Sequence, residues 1–345
     1  MSGQPSSFPS ESDLQRLAGY LDAQGLNDGG AIALVPLSGG QSNPTFRLIC
    51  AEREYVLRKK PEGVLLPGAH AVDREFRVMH ALQDTHVPVP RVFSYCDDDR
   101  VIGTPFYVME WLQGRVFVDQ SLPGMSPDER GRIYADMNRV IAALHAVLPE
   151  AVGLGDFGRP GNYFARQISR WSRQARESTL PMSAAMDSLI EWLPEHVPPG
   201  DETTIVHGDF RLDNLIIHPR EPRVIGLIDW ELSTLGHPLA DFAYHCMSWR
   251  IPASLWRGIG GLDLTALGIP PEAEYIDAYA RATGRDPRAH WEFYMAYNLF
   301  RIAAILRGIG QRALDGTAEG ADAVEMAARA DPLAQIGWEC AQRYG

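Results

Sequence analysis

The stretch IVHGDFRLDNLIIHPREPRVIGLIDWE, residues 205–231, decides how the chain reads. It sets Asp209, Asp213, Asn214, Asp229 and Glu231 among apolar runs of strand character. Ile205-Val206 leads in, Leu215-Ile216-Ile217 follows, and a third run ends on Asp229. Pro219 to Pro222 turn the chain between the last two runs, so a hairpin is expected there. Asp209 and Asn214 lie on one tight loop, and the hairpin brings Asp229 toward the same end as Asn214. An amide and a carboxylate converging there suit Mg²⁺, a hard cation that takes oxygen ligands. Asn214 and Asp229 are therefore the expected metal ligands, and Asp209 is left to orient a hydroxyl and accept its proton. Asp213 reads equally well as a turn residue capping the loop.

Outward from this stretch, the chain changes character once. Residues 31–112 read as strand, Gly-containing turn (SGGQSNP), strand, strand, helix, strand, strand. A helical pattern carrying Leu14, Leu17, Tyr20 and Leu21 precedes them, after a Ser- and Pro-rich arm at 1–11 expected to be mobile. From Ser126-Pro127-Asp128-Glu129, a capping box with Pro at the first helical position, helices dominate. The expectation is an α+β protein with a β-rich lobe at 1–112, a mainly helical lobe at 113–345, a hinge at Gln113-Gly114 and a cleft between the lobes.

The bulk numbers fit this division. A chain of 345 residues is long for one core. A net charge of −12 argues against a general nucleic-acid binder, although a local basic pocket can still take an anion. The four cysteines show neither C-x-x-C nor zinc spacing, which points to a reducing cytoplasm. The polar N-terminus has no signal-peptide core, and no early apolar run is long enough for a membrane span.

His-x-Asp-x-x-x-x-Asn followed by a strand-ending Asp resembles the catalytic loop and metal-binding Asp of protein kinases. Here the His is followed by Gly and the metal Asp by Trp-Glu, variants that resemble the aminoglycoside phosphotransferase and choline kinase-like family. GLGDFGRPGNYFARQISRW (153–171) and FRIAAILRGIGQR (300–312), taken with HGDFRLDN, resemble the subgroup also found fused to acyl-CoA dehydrogenase modules. The likeness covers roughly residues 30 to 340. It implies a bilobal protein kinase-like fold and a soluble, ATP- and Mg²⁺-dependent phosphotransferase. Its implied partner is a small molecule with a hydroxyl group, not nucleic acid or a membrane, and an association with acyl-CoA metabolism.

The resemblance distributes roles along the chain. Ser38, Gly39, Gly40, Gln41, Ser42 and Asn43 would face the phosphates through backbone N–H groups. Arg58 takes the place of the strand-three cation, with Lys59 as the alternate, because strand alternation sends the two to opposite faces. Glu75 on the next helix is its implied partner. Met109 would back the adenine pocket, and the main chain of Glu110 and Leu112 would pair with the base. Arg211 approaches the transferred group or forms a surface salt bridge, while His207 and Asp241 brace the loop.

The acceptor is less determined. Only eleven residues separate Asp229 from Asp241 and no A-P-E follows, which disfavours a peptide substrate. Tyr163, Arg166, Arg170, Trp171, Trp230, Glu231, Tyr294, Tyr297 and Arg301 are the acceptor candidates. Glu231 either touches the acceptor or braces the metal loop. Arg166, Arg170, Arg173 and Arg176 favour a hydroxy acid or its acyl thioester over a polycationic aminoglycoside. The alternatives are an aminoglycoside 3'-type kinase and a non-catalytic pseudokinase that serves as a binding module. An acyl-CoA dehydrogenase is disfavoured by the β-rich first lobe.

Overall fold

The computed structural model describes residues 8–37, 43–63, 70–316 and 322–344. The chain packs as two compact units. The first holds the chain up to Arg115 together with 216–219 and 225–233, and the second holds the remainder. The expected boundary at 112 therefore needs one amendment: the segment carrying Asp229 packs with the first unit. Most of the expected arm lies outside the described residues, and Ser10 already caps the first helix by a reciprocal box with Asp13.

The first unit is built on a five-stranded antiparallel sheet. Its strands are β1 (Ile32–Pro36), β2 (Thr45–Cys50), β3 (Arg53–Lys59), β4 (Val92–Cys96) and β5 (Phe106–Glu110). Their order across the sheet is β1-β2-β3-β5-β4. Helix α1 (Glu11–Ala23) supplies Leu17 and Leu21 to a core shared with Phe46, Leu48, Leu57, Phe106 and Val108. Helix α2 (Val72–Leu82) carries Phe76 against the Tyr95 and Tyr107 rings, and the short α3 (Asp99–Ile102) precedes β5. Strand alternation therefore places Leu57 and Lys59 on the core face and Arg58, opposite Tyr107, on the other.

The second unit is mainly helical. It contains α4 (Pro127–Ala146), α5 (Tyr163–Glu177), α6 (Ala184–Glu195), α7 (Pro238–Arg250), α8 (Leu264–Leu267), α9 (Glu272–Thr283), α10 (Trp291–Leu314), α11 (Asp322–Ala328) and α12 (Ala330–Arg343). Ser126 and Glu129 form the expected capping box at the start of α4. Helix α7 is buried from Pro238 to Trp249. Short strands complete the chain: β6 (Thr204–Val206) pairs with β9 (Thr234–Gly236), and β7 (Leu215–Ile217) with β8 (Val224–Leu227). The expected hairpin is β7–β8. Strand β9 was not legible in the sequence, because three residues carry no period. The α+β expectation is borne out. Among the described residues no helix is long and apolar enough to cross a membrane.

The second unit also carries a built-in acid sensitivity. His245 is buried on α7 with Nε2 2.7 Å from the Tyr275 hydroxyl. Burial pushes its ring down to about 3, against a partial opposing effect of Asp241. The folded value lies below the ordinary one, so this stabilisation is complete above about 6.5 and is lost as pH falls toward 3. The expected cost is roughly 3 kcal/mol by pH 4. Thermal unfolding from pH 7 to pH 4 checks this: stability should fall more steeply for the wild type than for His245→Gln.

Candidate active site

The two units each carry one set of polar side chains. In the first, Arg58 is buried between two carboxylates. Its Nε lies 3.0 Å from Glu75 Oε2, and its Nη2 donates to Asp229 Oδ1 at 3.0 Å. Glu75 is 1% exposed and has further donors: Tyr107 Oη at 3.0 Å on Oε2 and Asn43 Nδ2 at 2.7 Å on Oε1. Burial pushes the Glu75 carboxyl up to about 7, against the opposing charge of Arg58. Lys59 points the other way and pairs with Glu62 at 3.0 Å. Of the two cations, Arg58 is the one that joins Glu75 and Asp229.

Asp229 stands in the left-handed region, at φ 65 and ψ 62. Asp tolerates that region better than most residues. A 3₁₀ turn follows at once, fixed by Trp230 Nε1 donating to Leu227 O at 2.9 Å and by Ser233 Oγ donating to Trp230 O at 2.6 Å. Trp230 is therefore a buried peg beneath the Asp229 turn, which removes it as an acceptor contact. Glu231 adds its negative charge to the surroundings of Arg58 and Glu75.

In the second unit, the loop after β6 is held from below. Gly208 has φ 82, a conformation that favours glycine and explains the Gly of the HGD motif. Asp241 of α7 accepts from the backbone N–H of His207 and of Gly208, both at 2.8 Å. His145 Nε2 lies 3.3 Å from the same carboxylate. The donors around the buried Asp241, His145 first, outweigh burial and hold its carboxyl below the ordinary range. His207 Nδ1 accepts from the Asp209 N–H at 3.3 Å, and Arg301 Nη2 donates to the Gly208 carbonyl at 2.7 Å.

The loop so braced presents Asp209. Tyr244 Oη donates to its Oδ1 at 2.6 Å, and Asn214 Nδ2 donates to its Oδ2 at 3.1 Å. Arg211 Nε lies 3.1 Å from that oxygen and 3.3 Å from Asp213 Oδ1. Asp213 also pairs with Arg257, so it is more than a turn residue: it stands between two guanidinium groups. Tyr244 was missed in the sequence, although it lies three residues after Asp241 and so on the same helix face. His145 and Arg257 gave no such signal.

Each unit offers an oxygen of the kind a hard cation takes. Asn214 spends its amide N–H₂ on Asp209 O and Oδ2, which leaves its carbonyl oxygen for another partner. Asp229 keeps its second oxygen beyond the one Arg58 holds, and its side chain is 38% exposed.

The family model described as the phosphotransferase enzyme family matches residues 33–297. The chain belongs to the phosphotransferase enzyme family. A solved protein of Ralstonia eutropha JMP134, described provisionally as an aminoglycoside phosphotransferase, is 52% identical to it, with 95% of this chain and 98% of that one covered and a TM-score of 0.88. Aminoglycoside phosphotransferase APH(4)-Ia, solved with AMP-PNP and hygromycin B, is 18% identical and shares the fold, covering 95% of this chain and 99% of that one with a TM-score of 0.62. Acyl-CoA dehydrogenase family member 10 of Mus musculus is 46% identical over 323 residues, which are 93% of this chain and 30% of that protein. The chain spans between 30% and 43% of the first curated relatives it matches.

The remaining expected site residues fall into three groups. Ser38, Gly39, Gly40, Gln41 and Ser42 lie outside the described residues. Asn43 is buried with its side chain on Glu75 and His70. Met109 lies buried in β5, and the Glu110 carboxylate accepts from the Arg91 N–H at 3.2 Å. Leu112 packs close over Gly226.

The aromatic acceptor candidates need correction. Tyr163, Trp171, Tyr294 and Tyr297 are core side chains of the phosphotransferase. Tyr294 and Tyr297 surround the Phe164 ring, and the Tyr163 ring fills the space that a side chain at Gly236 would need. Arg301 is a buried brace, stacked 5.0 Å from the Tyr244 ring centre. Arg166 donates to the Arg159 carbonyl at 2.6 Å, and Arg170 stacks on Trp171 at 4.8 Å. Aromatic residues at helical spacing serve packing here, as they do in most helices.

Proposed function

We propose that this phosphotransferase moves the γ-phosphoryl group of ATP to a hydroxyl of a small molecule, a hydroxy acid or its acyl thioester. The observation that carries this reading is the setting of Asp209. Oδ2 is occupied by Asn214 and Arg211, whereas Oδ1 takes one bond from Tyr244 and keeps a second lone pair. That lone pair can receive and orient an acceptor hydroxyl. Arg58, steadied by Glu75, is the cation for the nucleotide phosphates, a task suited to its planar fork. Bound Mg²⁺ would neutralise charge developing on the phosphates, with Asp229 and Asn214 as its protein ligands.

The acceptor class draws on a different part of the second unit than the arginine-rich α5. A small pocket touches Arg211 and Tyr244, two partners of Asp209, and is lined further by Gln120, Ser248, Trp256 and Arg257. Two guanidinium groups, both paired with Asp213, beside an indole favour an acceptor that carries a strongly polar group. The relatives named as acyl-CoA dehydrogenases support a link with acyl-CoA metabolism. Four free, buried cysteines agree with a reducing cytoplasm.

The test is ATP-dependent ADP release against 3-hydroxybutyrate, its coenzyme A thioester, other short hydroxy acids and kanamycin. Turnover with the hydroxy acids or thioesters and none with kanamycin is the expected result. The reverse would move the assignment to an aminoglycoside kinase, and no turnover with a silent active site would favour the pseudokinase alternative.

A further inference from the structure

The arrangement around Glu75 contains more than an ion pair. Asn43 is 0% exposed and directly follows the expected phosphate-facing residues 38–42 in the sequence. Its Nδ2 donates to Glu75 Oε1 at 2.7 Å, and its Oδ1 lies 3.0 Å from His70 Nδ1. Its backbone carbonyl accepts from Thr45 Oγ1 at 2.9 Å, and Thr45 Oγ1 in turn accepts from Arg58 Nη1 at 3.5 Å. Arg58 Nε closes the circuit on Glu75 Oε2. Asn43 thus touches Glu75 directly by its side chain and is linked to Arg58 through the Thr45 hydroxyl.

We propose that Asn43 is a positioning residue, whose amide holds Glu75 Oε1 so that Oε2 faces Arg58, the phosphate-binding cation. This rests on the assignment of Arg58 to the nucleotide phosphates made above. The physical reason is that a carboxylate buried to this degree needs a donor on each oxygen. Tyr107 donates to Oε2, which also forms the ion pair with Arg58, and among the described residues Asn43 donates to Oε1. Removing it leaves a buried acceptor unsatisfied and the carboxyl free to rotate away from Arg58. The carboxyl already lies high because of burial, and Asp229 and Glu231 add negative charge around it, so the loss of one donor bears directly on its pairing. Neither Asn43 nor Glu75 needs to touch the nucleotide for this effect.

The experiment is calorimetric binding of AMP-PNP with Mg²⁺ to the full chain, in a double-mutant cycle of Asn43→Ala and Glu75→Ala. Asn43→Ala is expected to weaken binding by about tenfold, the effect of one lost hydrogen bond to a charged group. The double variant is expected to bind no more weakly than Glu75→Ala alone, because the amide acts only through that carboxylate. Asn43→Asp keeps the shape and sets a carboxylate against Glu75, so it should weaken binding at least as much, and it decides the matter if Asn43→Ala does not fold. Wild-type affinity in these single variants, or additive losses in the double variant, would overturn the proposal while leaving the nucleotide assignment intact. A wild-type chain that binds no AMP-PNP would instead overturn the nucleotide assignment itself.

Discussion

Asp209→Asn is expected to reduce turnover by about 10²- to 10⁴-fold while leaving the fold and nucleotide binding in place. Three groups converge on this carboxylate: Tyr244 on one oxygen, Asn214 and Arg211 on the other. An asparagine can keep its oxygen toward Asn214 and Arg211 and turn its amide toward Tyr244, whose hydroxyl can accept as well as donate. Arg211 retains Asp213 as a counter-charge, so the loop has no unpaired cation. What the variant loses is the anionic oxygen that orients the acceptor hydroxyl. ADP formation and AMP-PNP affinity, measured together, separate these effects. Near wild-type ADP formation would remove Asp209 from the chemistry.

The second large effect is expected at Arg58, where stability and nucleotide binding should fall together. Arg58→Ala leaves the buried Glu75 without its cation and frees Asp229 of its hydrogen bond. Breaking a buried pair from one side costs about 3–5 kcal/mol, because the remaining charge is uncompensated. Glu75 reduces that cost by taking up a proton, which its raised value of about 7 makes easy. Arg58→Lys preserves the charge but not the fork that spans Glu75 and Asp229, so it should recover stability better than AMP-PNP affinity. Thermal unfolding and calorimetry provide the two readings. Unchanged nucleotide affinity in Arg58→Ala would transfer the phosphate-binding role to another cation.

Much of this was legible in the sequence, for reasons that differ by element. The five strands of the sheet and the α4 capping box follow from period and cap chemistry, which are local properties. Alternation also guaranteed that Arg58 and Lys59 face opposite sides. Which side carried the carboxylates was fixed only by the pairing of β3 with β5, which sets Tyr107 beside Arg58. Asp241 is placed by resemblance, and Tyr244, three residues on along the same helix face, donates to Asp209. His145 reaches Asp241 across 96 positions, and no local pattern announces such a bond. The aromatic residues of α5 and α10 failed as acceptor candidates because helical spacing describes a buried face and a lined pocket equally well. Trp230 failed for a related reason, since its neighbour Asp229 is displayed only because the indole is pinned beneath.

The central claim is transfer of a phosphoryl group to a small-molecule hydroxyl, and phosphorus NMR tests it most directly. Wild-type protein is incubated with ATP, Mg²⁺ and 3-hydroxybutyrate or its coenzyme A thioester, beside an identical sample of Asp209→Asn. The expected spectra show a new phosphomonoester resonance growing in step with ADP in the wild-type sample and absent with the variant. ATP consumed to ADP and inorganic phosphate alone, or a phosphomonoester formed equally by Asp209→Asn, would contradict it.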